Sequence, residues 1–433
     1  MPAIEVERLR DLTPERRRDI VERSMEDIAG IFADVRETVL AIRDRGDEVS
    51  VKHYAKLKAD ITSADIKATA EEYEEALRLV DPQVVDHLKL AADNIRKFHA
   101  AQLDREMWSI EVLPGVLAGQ MVRPLDSVGC YVPGREATYP SSVLMTILPA
   151  KVAGVRNVIA CTPPGDGMKA NPATLVAASI AECDAVFKIG GPWAIGSMAY
   201  GTEVVPKVDK IVGPGNKYVT AAKMAVFGIV DIDSPAGPSE ILILADGTAN
   251  PNWLAIDFLS QVEHDKDAAA VLVTPDEGLA QAVADRINEE LKTLPRTDYI
   301  LPALENNSAI LVTDTMDEAI DFTNEYATEH LEIVTGEPMS MLPKIRHAGS
   351  IFLGPYAPVP VGDYASGTNH VLPTGKCARM FNGLCTDDFV KRPTFQLVSR
   401  EGLERLAPTV MALATAEGLP LHREAVRRRV EGE

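Results

Sequence analysis

The sequence is short of the residues that several protein classes depend on. It has five cysteines in 433 residues: Cys130, Cys161, Cys183, Cys377 and Cys385. Their number is odd, their spacings are long and no C-x-x-C pair occurs. That excludes a zinc finger and argues against a disulfide framework. Each reads better as a small buried apolar residue than as a nucleophile. Basic residues are in deficit, 44 Lys and Arg against 64 Asp and Glu, a formal net charge of −20. A chain so acidic has no electrostatic footprint for phosphate backbones, so nucleic acid and anionic membrane are poor partners. No run approaches the roughly 18 uninterrupted apolar residues of a membrane span. The start, MPAIEVERLRDLTPERRRDI, is charged throughout and has no apolar h-region. No signal peptide is expected, and the cytoplasm is the default location. No G-x-G-x-x-G occurs, so the usual dinucleotide fingerprint is missing as well.

What is present is an ordinary globular composition, 46% hydrophobic and 25% charged, at a length that calls for two or more domains. Residues 1 to about 110 read as helical. Ile28, Ile31, Phe32, Val35, Val39 and Ile42 recur at helical spacing, and Arg43, Arg45 and Gly46 form a stop. A second amphipathic stretch runs from Val84 to Phe98. From about 118 the pattern changes. Strand candidates at 128–132, 158–161, 185–189 and 210–212 alternate with helix candidates at 141–153, 173–182, 193–200 and 217–227. A second block has strands at 241–245, 270–274, 309–312, 331–334 and 351–353, with helices near 252–263, 278–291, 315–325 and 339–346. Strand–helix alternation with strands apolar on both faces is the mark of parallel sheets covered by helices on both sides. Two similar blocks suggest a duplication, although no sequence repeat is evident. After Leu372 the chain is irregular, then helical from about 400 to 430. The expected class is α/β, with two Rossmann-like parallel-sheet domains, a helical N-terminal region and a small C-terminal helical tail. The expected boundaries are 1–117 (packing with the second α/β domain), 118–238 (the NAD side), 239–375 (the metal and catalytic residues) and 376–433 (contributing to a partner subunit's site).

Several clusters carry possible chemistry. Gly213-Pro214-Gly215-Asn216 follows a strand and opens a helix, as Gly190-Gly191-Pro192 does one unit earlier. Such loops suit an anion at a helix N-terminus, and tight turns alone would also explain them. Gln261 and His264, spaced i, i+3, share a helix face, flanked by Glu263 and Asp265. A surface Q-x-x-H is more often plain polar surface than a ligand pair. Asp363 and His370 lie seven residues apart in PVPVGDYASGTNHVLPT, and His422 is the tail's one histidine. Amide, imidazole and carboxylate donors suit zinc with open coordination positions. A small terminal element with a reactive side chain often docks elsewhere, on its own chain or a partner. Glu329-His330 could share proton traffic near neutral pH, although from pattern alone an ordinary helix-to-strand junction with a satisfied histidine is the better reading.

Taken together, GCYVPGREATYPSSVLM (129–145), YGTEVVPKVDKIVGPGNKYV (200–219), DIDSPAGPSEILILAD (231–246), LSQVEHDKDA (259–268), ATEHLEI (327–333), GSIFLGPYAPVPVGDYASGTNHVLPTG (349–375) and the late EGLPLH resemble the histidinol dehydrogenase family, colinearly over roughly residues 28 to 430. The resemblance implies an oxidoreductase of histidine biosynthesis that converts L-histidinol to L-histidine through L-histidinal with NAD. It implies one Zn2+ per subunit, held by Gln261, His264, Asp363 and His422, the last reaching into the partner of an intertwined homodimer. It implies Glu329 and His330 as the catalytic pair. Ser239, Gln261, His264, His330, Asp363, His370, Glu417 and His422 would meet the substrate, and Tyr131 and Asn216 the NAD. Trp193 stands where the family usually has Gln, Arg135-Glu136 interrupts a loop that is often neutral, and 376–396 matches only loosely. Two other readings compete: a zinc and NAD dehydrogenase of another small alcohol such as sulfopropanediol, and a non-catalytic metal-binding dimer.

Overall fold

The computed structural model of the chain describes residues 3–23, 28–58, 60–134, 138–234 and 237–432. The chain forms two compact units, Met1–Gln102 with Asp126–Phe389, and Leu103–Leu125 with Val390–Glu433. In chain order the strands are β1 (Val6–Arg8), β2 (Met107–Leu113), β3 (Val116–Met121), β4 (Arg123–Pro124), β5 (Ser127–Tyr131), β6 (Asn157–Cys161), β7 (Ala185–Phe187), β8 (Lys210–Val212), β9 (Asp231–Ile232), β10 (Glu240–Ala245), β11 (Ala269–Thr274), β12 (Ala309–Val312), β13 (His330–Val334), β14 (Ser350–Leu353), β15 (Val390–Lys391) and β16 (Thr394–Val398).

The larger unit holds two wholly parallel sheets, in the orders β7-β6-β5-β8-β9 and β1-β12-β11-β10-β13-β14. Counting from β5 in one and β10 in the other, both run 3-2-1-4-5, and β1 extends the edge of the second. This is the doubly wound arrangement, with its direction change between β5 and β8 and between β10 and β13. Every residue of β10, β11, β12 and β13 is buried. The two faces divide by alternation. Ile241, Ile243, Ala270 and Leu272 pack with Leu254 and Phe258 on one side, while Leu242, Leu244, Val271 and Val273 pack with Ile320 and Phe322 on the other. That two-sided burial is why these strands read as continuous apolar runs.

The N-terminal stretch divides between the sheets. β1 pairs with β12, and Ile20 and Val21 of the helix Pro14–Glu22 join the second sheet's core. Val35 and Val39 of the helix Ala29–Arg45 pack over the first sheet with Ile195, Met198 and Val219. Reading all of this stretch as helical is therefore corrected. β1 is three residues without a pattern of its own, and pairing with β12 makes it a strand. The helix expected at 339–346 shortens to Pro338–Met341 followed by a 3-10 turn at Leu342–Lys344, because Pro343 cannot donate to the preceding turn. Short helices at Thr297–Asn307 and Val359–Tyr364 were not anticipated. In the smaller unit β16, β3 and β2 form an antiparallel sheet and β15 pairs with β4, alongside the helices Arg400–Ala416 and Pro420–Glu431. Among the described residues no helix is long and apolar enough to cross a membrane.

Candidate active site

Tyr131 ends β5 and the Gly213 loop follows β8, so both lie at the carboxyl edge of the first sheet where its winding reverses. Gly213 has φ +120°, and a Cβ there would overlap the Tyr131 carbonyl oxygen, so only glycine lets the loop cross. Its amide donates to Asp233 Oδ2 at 2.6 Å and its carbonyl accepts from Lys223 Nζ at 3.1 Å. Lys223 and Asp233 form a buried ion pair beneath the loop. Burial raises the Asp233 carboxyl, and the Lys223 ammonium opposes that rise. Asn216 caps the helix Lys217–Val226, with Oδ1 accepting from Tyr218 N and Val219 N. The Tyr131 hydroxyl accepts from Gly191 N at 3.1 Å, which ties the two glycine loops together. Trp193 stacks on His53, ring centroids 3.6 Å apart and 23° between planes. Arg135 and Glu136 fall outside the described residues.

Across from this edge stands the amino-terminal edge of the second sheet, carrying Ser239 before β10, Glu329 before β13 and His330 at its start. Glu240 and Glu329 hold each other: Glu329 N donates to Glu240 Oε1 at 3.0 Å and Glu240 N to Glu329 Oε2 at 2.9 Å. Arg23, itself buried, neutralises Glu240 through a two-pronged ion pair. His330 Nδ1 donates to the Glu240 carbonyl at 3.0 Å, since a carbonyl can only accept. That leaves Nε2, which is buried, has no hydrogen-bond partner and lies 3.6 Å from Asp363 Oδ1. Glu329 Oε2 is 3.4 Å from His330 Nδ1. Burial alone would depress the imidazole pKa, but the Glu329 and Asp363 carboxylates outweigh it and hold the ring well above its ordinary value. Burial also raises Glu329, against the pull of His330.

Gln261, in the last turn of the helix Pro251–Val262, is 2% exposed, and His264, just past the end of that helix, is exposed. Asp363 sits in the helix Val359–Tyr364, where its carbonyl accepts from His370 Nδ1 at 2.9 Å. His370 Nε2 then takes the Ser142 hydroxyl at 3.0 Å. Burial raises Asp363 while His330 lowers it, and the net is a depressed pKa. A cavity of about 320 Å³ is lined by Gln261, His264, Glu329, His330, Asp363 and His370 together with Ser239 and Asn216. The structure thus gathers eight of the anticipated residues around one space, between the carboxyl edge of one sheet and the amino edge of the other. Tyr131 is not among the residues that line it. Glu417 and His422 belong to the smaller unit, and both are exposed.

Among the described residues no group of three or more His, Cys, Asp and Glu side chains is arranged to hold a metal ion. The thiols are not set up as nucleophiles, since burial raises them, Cys183 up to about 12 and Cys385 up to about 11. Sequence reasoning missed Arg23, Glu240, Lys223 and Asp233. Of these only Glu240 carried a signal, as a charged residue opening the apolar run EILILA.

Residues 21–430 match the family model described as histidinol dehydrogenase. A histidinol dehydrogenase of Methanothermobacter thermautotrophicus is 48% identical over 412 residues, 95% of this chain and 96% of its own. One of Methanosarcina barkeri is 50% identical over 406 residues, 94% and 92% of the two chains. The crystal structure of histidinol dehydrogenase from Elizabethkingia anophelis superposes with a TM-score of 0.92 at 37% identity, covering 100% of this chain and 99% of that one.

Proposed function

The chain belongs to the histidinol dehydrogenase family, oxidoreductases of histidine biosynthesis, and from that premise we propose that it oxidises L-histidinol to L-histidine through L-histidinal, with two NAD and one zinc ion, in the cavity around Glu329 and His330. The observation that carries this is the bare, buried Nε2 of His330, aimed into a space that also holds amide, imidazole and carboxylate donors. We infer that the reaction runs in the cytoplasm.

The donor set suits zinc. Gln261, His264 and Asp363 share the cavity, and their mixed oxygen and nitrogen chemistry is that of a zinc site with open positions. His422 of the partner subunit is proposed as the fourth donor. Bound there, zinc would supply Lewis-acid fixation of the substrate's amine and imidazole nitrogens, fixing its orientation.

His330 holds the proton traffic. Its Nδ1–H is anchored on the Glu240 carbonyl, and with Asp363 engaged as a zinc donor rather than as the partner of Nε2 the ring would be neutral, so that Nε2 takes the hydroxyl proton as hydride passes to the first NAD. The aldehyde stays enclosed, and Glu329, buried against the ring, steers a water onto it. Once His330 has passed its first proton to solvent, the hydrate loses a second proton to it and a second hydride to another NAD, and the resulting acid ionises to the carboxylate. Running both oxidations in one cavity keeps the reactive aldehyde from escaping to other nucleophiles. Ser239 and His370 line the substrate space, and Glu417, from the partner's tail, is proposed for the cationic amine. Tyr131 and Asn216, at the carboxyl edge of the first sheet, are proposed as the NAD contacts.

Oxidation of a different alcohol and a non-catalytic dimer are not favoured, because the relatives named above are histidinol dehydrogenases and Glu329 and His330 are both present. The test is reduced nicotinamide formed per histidinol consumed by the zinc-loaded protein. A ratio near two that disappears on chelation is expected. No turnover by zinc-loaded dimer would overturn the assignment.

A further inference from the structure

One buried acid next to the site has no part in the chemistry above. Glu332 is 1% exposed and follows His330 by two residues on β13, so the two side chains share one face of the sheet. Its Oε1 accepts from Val359 N at 2.9 Å, at the first residue of the helix that carries Asp363. Its Oε2 is buried with no hydrogen-bond partner. It lines a cavity of about 10 Å³, the room of one water, with Asn250, Asp257, Val334 and Pro358. Asp257 comes from the helix Pro251–Val262, one turn before Gln261. The titratable groups facing Glu332 are therefore Asp257 from that helix and His330 from its own strand.

The spacings match. Two strand residues advance about 6.6 Å and four helix residues about 6 Å. Glu332 meets Val359 where His330 meets Asp363, so one strand registers the helix at two points a turn apart. We propose that Glu332 is a positioning residue: as a buried hydrogen-bond acceptor it fixes the helix Val359–Tyr364 along β13 and so holds Asp363 opposite His330. The buried carboxyl favours its protonated form near neutral pH. Burial lifts its pKa to about 8 and the Asp257 carboxylate adds to the rise, so no cation is needed to keep it in place. A neutral acceptor is enough, which makes glutamine an adequate replacement and methionine, of similar length without an acceptor, an inadequate one.

The inference rests on the reading of Asp363 as a zinc donor, and its test separates the two. Glu332→Gln, Glu332→Met and Val359→Pro are compared with the parent for zinc affinity by chelator competition, and for kcat and KM. Val359→Pro removes the donor at a first helical position, where proline is tolerated, and tests the same bond if Glu332→Met does not fold. Glu332→Met and Val359→Pro should bind zinc about 10- to 100-fold more weakly, the usual range when a group supporting a metal ligand is lost. Their kcat should fall while KM for NAD holds. Glu332→Gln should keep zinc affinity within about threefold of the parent, since its carbonyl still accepts. Folded Glu332→Met or Val359→Pro with parental zinc affinity and kcat would overturn the proposal. So would a folded Glu332→Gln as impaired as Glu332→Met. A parent that binds no zinc and turns over no histidinol would instead sink the proposed function.

Discussion

His330 has one ring nitrogen committed and one free. Nδ1 donates to the Glu240 carbonyl, and Nε2 is buried without a partner beside Asp363. The neighbouring Glu329 is held from both sides by the backbone and side chain of Glu240, so its carboxylate cannot swing away from the ring. Glu329→Gln keeps the shape and an acceptor but removes the charge. Turnover of histidinol should drop by about 10²- to 10⁴-fold, the usual contribution of a placed acid or base. Zinc content and the thermal midpoint should stay close to the parent's. Steady-state kinetics with parallel metal analysis checks this, and a kcat within threefold of the parent would remove Glu329 from the reaction. Beneath the other wall, Lys223 and Asp233 clamp both backbone groups of Gly213. Lys223→Met strands a buried carboxylate, and the expected loss is about 3 to 5 kcal/mol of stability, read from urea unfolding. An unchanged midpoint would mean that Asp233 simply takes up a proton at no cost.

At the level of elements, the join between β13 and the helix Val359–Tyr364 has a pH signature. Glu332 has its pKa raised to about 8 in the folded chain, while an unfolded glutamate titrates near 4.3. Between those values the folded state binds more protons than the unfolded one, so this residue's contribution declines as pH rises and levels off above about 8. Glu332→Gln has no such proton. Its urea midpoint should gain on the parent's from about pH 5 to pH 8, and a constant difference across that range would show that Glu332 is already ionised. The same element scale shows what was legible in the sequence. β10 to β13 were readable because burial on both faces writes an unbroken apolar run, and the helix Ala29–Arg45 because its apolar stripe ends at Arg43, Arg45 and Gly46. β1 and β2 were not. β1 owes its form to a partner 300 residues away, and β2 is exposed along its whole length, so neither carries a periodic signal of its own. The site was legible to a similar degree. Gln261, His264 and Asp363 were nameable as candidates from residue type and spacing, but only whole-family resemblance joined them into one site, because residues from separate elements meet by tertiary packing. Of the groups that hold the site still, Glu240 and Glu332 show only as lone charges in apolar strands, and Arg23 and the Lys223–Asp233 pair left no local mark.

For the whole molecule, the proposed division of labour crosses subunits. The cavity with Glu329 and His330 lies in the larger unit, and His422 and Glu417 lie in the smaller one, exposed. The smaller unit also leaves Trp108, Ile110 and Val112 of β2 uncovered, an apolar strand that a second subunit would shield. If each tail serves the partner's cavity, two differently broken subunits can repair each other. His422→Ala keeps an intact cavity and loses its tail donor, while Glu329→Gln keeps the donor and loses the cavity. Each alone should be nearly inactive. Unfolded together and refolded at equal amounts, half the dimers are mixed and each has one complete site out of two, so about a quarter of parental activity should return for a two-fold symmetric pair. The net charge of −20 sets repulsion between subunits, so reassembly should be faster at moderate salt than at low salt without changing the final yield. Recovery near a quarter places His422 in the partner's site. No recovery from a mixture shown to contain mixed dimers would mean that His422 serves its own chain, and the intertwined arrangement would have to be given up.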